Sequence, residues 1–85
     1  MIVTEHEARI VLAIRERIGT SGELAKRAGV NDRAARAILT RLMEARVVER
    51  THSRPMAYYW VGSSPEYLDA VLDTLRRSER ARQHA

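Results

Sequence analysis

Cysteine is absent from the chain, and so is phenylalanine. Without thiols there is no disulfide framework, no cysteine nucleophile and no cysteine-bearing metal site. Lysine is nearly missing as well: Lys26 is the only one, and every other cation is arginine. The aromatic side chains are confined to Tyr58, Tyr59, Trp60 and Tyr67, which localises the bulkiest packing to one short segment. No apolar run approaches the roughly 20 residues of a membrane span, and the N-terminus lacks a basic-then-apolar leader. A cytoplasmic protein without a membrane partner is expected. His6, His52 and His84 lie far apart in sequence, and there is no H-E-x-x-H, phosphate loop or G-x-S-x-G. A catalytic pocket would also consume most of the core that 85 residues can build. The chain is expected not to be an enzyme and to use no metal or cofactor.

What is present points elsewhere. Eighty-five residues, 45% of them apolar, suffice for one domain with a single modest core. A core of that size leaves little margin, and a partner subunit is a common remedy. The net charge of +4 favours an anionic partner, nucleic acid before an acidic membrane. Arginine suits that role, because its planar guanidinium makes paired contacts with phosphate and guanine.

Thr4 and Glu7 have capping-box spacing, which predicts a helix over residues 4–18. Its middle, from Ile10 to Ile14, is apolar nearly all the way round, more than one core-facing stripe requires. Leu12 and its neighbours are therefore expected to meet a second subunit. Thr20 and Glu23 repeat the capping spacing before a short helix over residues 21–28, with Leu24, Ala25 and Ala28 inward and Lys26 and Arg27 outward. Gly29 supplies a left-handed stop, and Asn31 caps a third helix over residues 31–46. Two β-branched or aromatic segments, 47–52 and 57–61, flank Ser53-Arg54-Pro55-Met56 and read as a hairpin. Ser64 and Pro65 open a last helix with Leu68, Val71, Leu72 and Leu75 on one stripe. From Arg76 the stripe stops, and the charged tail is expected to fray.

The third helix has two unlike faces. At about 100° per residue, Ala35, Ile38, Leu39 and Leu42 gather on one side and Arg33, Arg36, Ala37 and Thr40 on the other. The first set is a core stripe. The second is small, polar and cationic, which fits a DNA groove: arginines reach base edges while small side chains let the backbone approach. A solvated face with two arginines is the alternative for a helix taken alone.

The order helix, helix, turn, helix, hairpin, helix resembles the winged helix-turn-helix domain, in particular the small dimeric regulators of the MarR, ArsR and TrmB types. Thr20, Glu23, Leu24 and Ala25 match that family's T-x-x-E-L-A opening, and Gly29 and Val30 match its turn. Ile38 and Leu42 match the buried leucines; Val47, Val48 and Arg50 match the following strand. Arg54-Pro55, with Tyr59 and Val61 beyond, looks like the wing. Departures are Asn31 for the serine cap, Arg46 where a glycine often ends the recognition helix, alanines at positions 34 and 37, and Ser53 for a wing glycine.

The expected fold class is mainly α with a small β-hairpin, a winged helix-turn-helix with an added C-terminal helix. Residues 1–62 would form the DNA-binding part, and residues 63–85 a dimerisation helix with a charged tail. The resemblance implies a nucleoid-associated, sequence-specific transcription regulator that binds double-stranded DNA as a homodimer, with no small-molecule effector evident and no room for a separate sensor domain. A winged helix used as a protein-interaction module is the alternative.

Arg33 and Arg36 are the candidate base readers, with phosphate contact or solvation as the other reading. Asn31, the cap beside them, is also a DNA-binding candidate, and Asp32 either orients Arg36 from one turn away or reads cytosine. Thr40 meets either a thymine methyl or a phosphate. Arg54 at the wing reaches the minor groove or the backbone, or is merely a loop-tip arginine; His52 beside it is read as incidental. Lys26 and Arg27 contact phosphate or belong to a solvated face. Leu12, Trp60, Leu68, Val71, Leu72 and Leu75 are the dimerisation candidates. If Tyr59 faces the core, as the family pattern implies, Trp60 needs cover from the last helix or a second subunit.

Overall fold

Helix α1 (Glu5–Glu16) begins where the Thr4 hydroxyl accepts the Glu7 N–H at 3.2 Å. In this computed structural model, which describes residues 2–83, α1 is the central element, packed by other helices on three sides. That position explains its apolar girth. Ala8, Ile10, Val11, Ala13 and Ile14 are all buried within the chain itself, and only Leu12, 43% exposed, faces out. The surplus expected for a partner shrinks to one residue.

Helix α2 (Ser21–Ala28) starts with a complete capping box. The Thr20 N–H donates to Glu23 Oε1 at 2.8 Å, and the Glu23 N–H donates to Thr20 Oγ1 at 3.2 Å. It ends at Gly29 with φ 68°, where the Gly29 and Val30 N–H groups donate to the Lys26 and Ala25 carbonyls. Helix α3 (Asp32–Glu44) begins with the Ala34 N–H on Asn31 Oδ1 at 2.8 Å. Ala35, Ile38, Leu39 and Leu42 bury its inner face.

The end of α3 departs from the sequence reading. Arg46 stands where a glycine often ends such a helix, yet it adopts φ 63° itself. The Arg46 N–H donates to the Met43 carbonyl at 3.0 Å and the Val47 N–H to the Leu42 carbonyl at 3.1 Å. These two bonds satisfy the carbonyls at the helix end and outweigh the steric cost of a non-glycine residue there.

Strands β1 (Val48–Arg50) and β2 (Tyr58–Trp60) pair antiparallel, with Val48 opposite Trp60 and Glu49 opposite Tyr59. Both are shorter than expected. The far edge of β2 is closed by Gly19, which exchanges two backbone hydrogen bonds with Tyr58 at 3.2 and 2.7 Å. Register decides the faces. Val48 is fully buried, so its partner Trp60 shares the core side, and Tyr59 is turned out at 41% exposure. The implied arrangement, Tyr59 in and Trp60 awaiting cover, is reversed: Trp60 packs on the chain's own core, with the Arg15 guanidinium 5.8 Å from its ring centre.

Helix α4 (Pro65–Gln83) is capped by Ser64, whose hydroxyl accepts the Tyr67 N–H at 3.3 Å. The expected fraying from Arg76 does not occur through Gln83, while His84 and Ala85 lie outside the described residues. Asp73 pairs with Arg77 one turn on, Thr74 Oγ1 donates to the Val3 carbonyl at 2.9 Å, and Arg82 reaches Glu5 at 2.9 Å. Val71 sits in the same core as α1.

Arg46→Gly is expected to raise stability by about 0.5–1 kcal/mol, since glycine reaches the left-handed region without the Cβ penalty but loses more backbone entropy on folding. Urea unfolding followed by circular dichroism checks it; a destabilised variant would mean that the arginine side chain itself holds the turn.

Candidate nucleic-acid interface

The turn between α2 and α3 is rigid for reasons written into its residues. Gly29 ends α2 in the left-handed conformation, Val30 is buried after it, and Asn31 caps the next helix. At the start of α2, the backbone N–H of Thr20 is the main influence on Glu23, and with the Thr20 hydroxyl it holds the carboxyl below its ordinary value. The cap is therefore complete above the ordinary value of 4.5 and weakens as pH falls through the lower folded value.

Burial of the inner face of α3 leaves Arg33, Arg36, Ala37 and Thr40 exposed together. The Thr40 hydroxyl donates to the Arg36 carbonyl at 2.9 Å, so its proton is committed while its methyl and its acceptor lone pairs remain outward. Asn31 and Asp32 are exposed at the helix start, where Asn31 Oδ1 is engaged by the Ala34 N–H. Asp32 makes no ion pair with Arg36, contrary to the orienting role expected of it. Both groups are solvated, and such a pair gains only about 0.2–0.5 kcal/mol. Ala34 is half-buried against the core and is not available to a ligand as Ala37 is.

Lys26 is exposed on α2. Arg27 is not the outward cation the sequence suggested. Its guanidinium turns back and donates to the carbonyls of Arg17 at 3.0 Å, Ile18 at 3.1 Å and Ala13 at 3.4 Å. It thereby satisfies the Arg17 and Ile18 carbonyls just past the end of α1 and shares the Ala13 carbonyl with the Arg17 N–H. Gly19 is adapted to it, because a Cβ there would collide with the guanidinium. Arg54 is exposed in the hairpin loop, where Thr51 Oγ1 accepts the Ala57 N–H at 3.0 Å and draws the loop closed.

The residues expected at a subunit interface divide. Val71 is 2% exposed and Trp60 packs on the chain's own core, so neither has much surface to offer a partner. Leu68 is half-buried against that core. Leu12 and Leu72 are exposed at 43% and 39%, and Leu12 and half-buried Leu75 line a groove of about 370 Å³ among α1, α2 and α4.

Arg41, unassigned from sequence, lies on the flank of α3 with its side chain 60% exposed and 3.1 Å from Glu7. A helical wheel shows the flank position; the partner, 34 residues earlier, leaves no local trace. No group of three histidine, cysteine or acidic side chains among the described residues is placed to hold a metal ion, and no helix among them is long and apolar enough to cross a membrane.

Four helices with one antiparallel hairpin in this order make a winged helix-turn-helix fold. No family model and no curated protein matches the sequence. Solved structures do match the fold. ZitR of Lactococcus lactis superposes with a TM-score of 0.68 at 15% identity, over 99% of this chain and 59% of its own, and its complex with DNA gives 0.69 at 14% identity, over 99% and 60%. The MarR family transcriptional regulator SPO1453 of Silicibacter pomeroyi gives 0.69 at 12% identity, over 93% of this chain and 59% of that one. BpsR of Bordetella bronchiseptica, whose DNA binding is regulated by 6-hydroxynicotinic acid, gives 0.68 at 16% identity, over 96% and 59%. The chain therefore spans about three fifths of the length of these regulators.

Arg27→Ala is expected to cost about 1.5–3 kcal/mol of stability, the range for hydrogen bonds to a charged group. Its effect on the salt dependence of duplex binding should be nil. A variant of unchanged melting midpoint, or a flatter salt slope with the fold intact, would return Arg27 to the ligand-facing surface.

Proposed function

We propose that this chain is a double-stranded DNA-binding transcription regulator that acts as a homodimer at the nucleoid. The observation that carries the reading is the outer ridge of α3. Arg33, Arg36, Ala37 and Thr40 are exposed in one row on a helix whose start and end are both capped and whose inner face is buried. A ridge of that shape fits the major groove, about 12 Å wide, as a helix with its side chains is about 10–12 Å across.

In this reading Arg33 and Arg36 donate to base edges, and Thr40 offers its methyl to thymine. Asn31 and Lys26 meet phosphate, and Arg54 on the wing follows the adjoining groove or backbone. Asp32 favours the start of α3 through the helix dipole and is a minor contributor to contact. Residues 1–62 serve as the DNA-binding part, and the C-terminal helix joins two copies through Leu72 and Leu75, with Leu12 of α1 beside them. The two ridges would then meet half-sites about 34 Å apart. Solved relatives of the fold that carry DNA support the partner class.

A second reading, a protein-interaction module, is favoured by one feature. Ile18, Tyr59 and Val61 are 50%, 41% and 55% exposed on and beside the hairpin. None of the three belongs to the α3 ridge, so the two uses are not exclusive.

Binding of the purified protein to random and genomic duplex at two salt concentrations tests the proposal. Affinity should fall steeply with salt. Arg36→Ala should weaken a selected site by about 1–3 kcal/mol while leaving random duplex much less affected. Equal loss on both would reduce Arg36 to a phosphate contact, and no binding in dilute buffer would remove the DNA reading.

A further inference from the structure

The carboxylate of Glu7 joins three helices. On α1 it is 14% exposed, and its two oxygens are shared out: Oε2 accepts the Tyr67 hydroxyl of α4 at 2.6 Å, and Oε1 lies 3.1 Å from Nη2 of Arg41 on α3. Burial and the carboxylate both oppose ionisation of Tyr67 and push its pKa well above the usual phenol value, so the phenol remains a donor. One cation thus faces one nearly buried carboxylate, with a neutral donor on the other side.

Arg41 is the exposed member. Its side chain is 60% open, and a guanidinium has five N–H donors, of which one nitrogen is turned to Glu7. At about 100° per residue, Arg41 stands roughly a quarter turn round α3 from the centre of the Arg33–Ala37–Thr40 row. A helix that fills the major groove turns its ridge to the bases and its flanks to the phosphates along the groove edges. A free arginine loses much of its rotamer entropy on making such a contact; one held from behind by a carboxylate has already lost part of it.

We propose that Glu7 and Tyr67 hold Arg41 in position to contact a backbone phosphate, so that the seating of α4 on α1 sets part of the affinity for duplex. The proposal rests on the DNA-binding reading and deepens it. Arg41 is the contacting residue, and Glu7 and Tyr67 are positioning residues that act through it. The C-terminal helix thereby gains a route to the recognition helix that bypasses the core: the loss of a single hydrogen bond at Tyr67 loosens Arg41.

A double-mutant cycle on the full chain tests this. Arg41→Gln should weaken random and selected duplex alike and reduce the slope of log affinity against log salt by about 0.9, the value for one phosphate contact. Tyr67→Phe should weaken binding about threefold, in the range of one net hydrogen bond, and should have no further effect once Arg41 is glutamine. Melting midpoints of all variants are measured alongside, so that loss of fold is separated from loss of aim. An equal effect of Tyr67→Phe in both backgrounds would make Tyr67 a stabiliser of the fold alone and overturn the coupling. Tighter binding of Glu7→Gln would show the carboxylate competing with phosphate for Arg41, which also overturns it. If the wild-type chain binds duplex, these failures touch only the coupling; if it binds none, the DNA reading falls and the coupling with it.

Discussion

The packing of the inner face of α3 against the rest of the chain is the constraint on which the remaining structure depends. Ala35, Ile38, Leu39 and Leu42 are each at most 5% exposed. Burying a side chain of leucine size stabilises by about 1.5–3 kcal/mol, so rotating the helix to hide Arg33 or Arg36 would forfeit several such contributions at once. It would also bury guanidinium groups without partners. The polar ridge is outward because the alternative is far costlier. Everything that holds α1 in place, including the buried Val71 of α4 and the Gly19–Tyr58 bridge, indirectly holds that ridge.

Arginine serves two opposite purposes on this small surface. Arg27 and Arg82 are consumed by the structure, one on backbone carbonyls at the end of α1 and one on Glu5. Arg33, Arg36 and Arg54 are exposed and make none of the ion pairs seen elsewhere. In the proposed function these exposed guanidinium groups on α3 and the wing attract the phosphates of a duplex.

Much of the fold was legible in the sequence because its boundaries are marked by local chemistry. Helix α2 runs over Ser21–Ala28 as expected, since Thr20 with Glu23 opens it and Gly29 closes it within eight residues. The outward ridge of α3 was legible for a similar reason: apolar residues three and four apart define the opposite face. What sequence could not supply depends on distant partners. The acceptors of Arg27 are carbonyls 9 to 14 residues back. The bonds that keep α4 helical to Gln83 run to Val3 and Glu5, more than 70 residues away. Strand alternation separates Tyr59 from Trp60 but cannot say which is inside. The pairing of Trp60 with fully buried Val48 decides that, against the family pattern. Arg46 shows the converse, a local preference overridden by two backbone hydrogen bonds.

The central claim is that the charged ridge of the third helix, and not the groove beside Leu12 and Leu75 or the outer hairpin face, is what meets a duplex. Amide chemical shifts of the isotope-labelled protein, followed during titration with a short duplex, test it most directly. The account predicts that the largest changes fall on Asn31 through Thr40 and on the loop around Arg54, while Leu12, Leu72 and Leu75 stay still at constant oligomeric state. Changes centred on Ile18, Tyr59 and Val61, with the Arg33 and Arg36 amides unmoved, would contradict it.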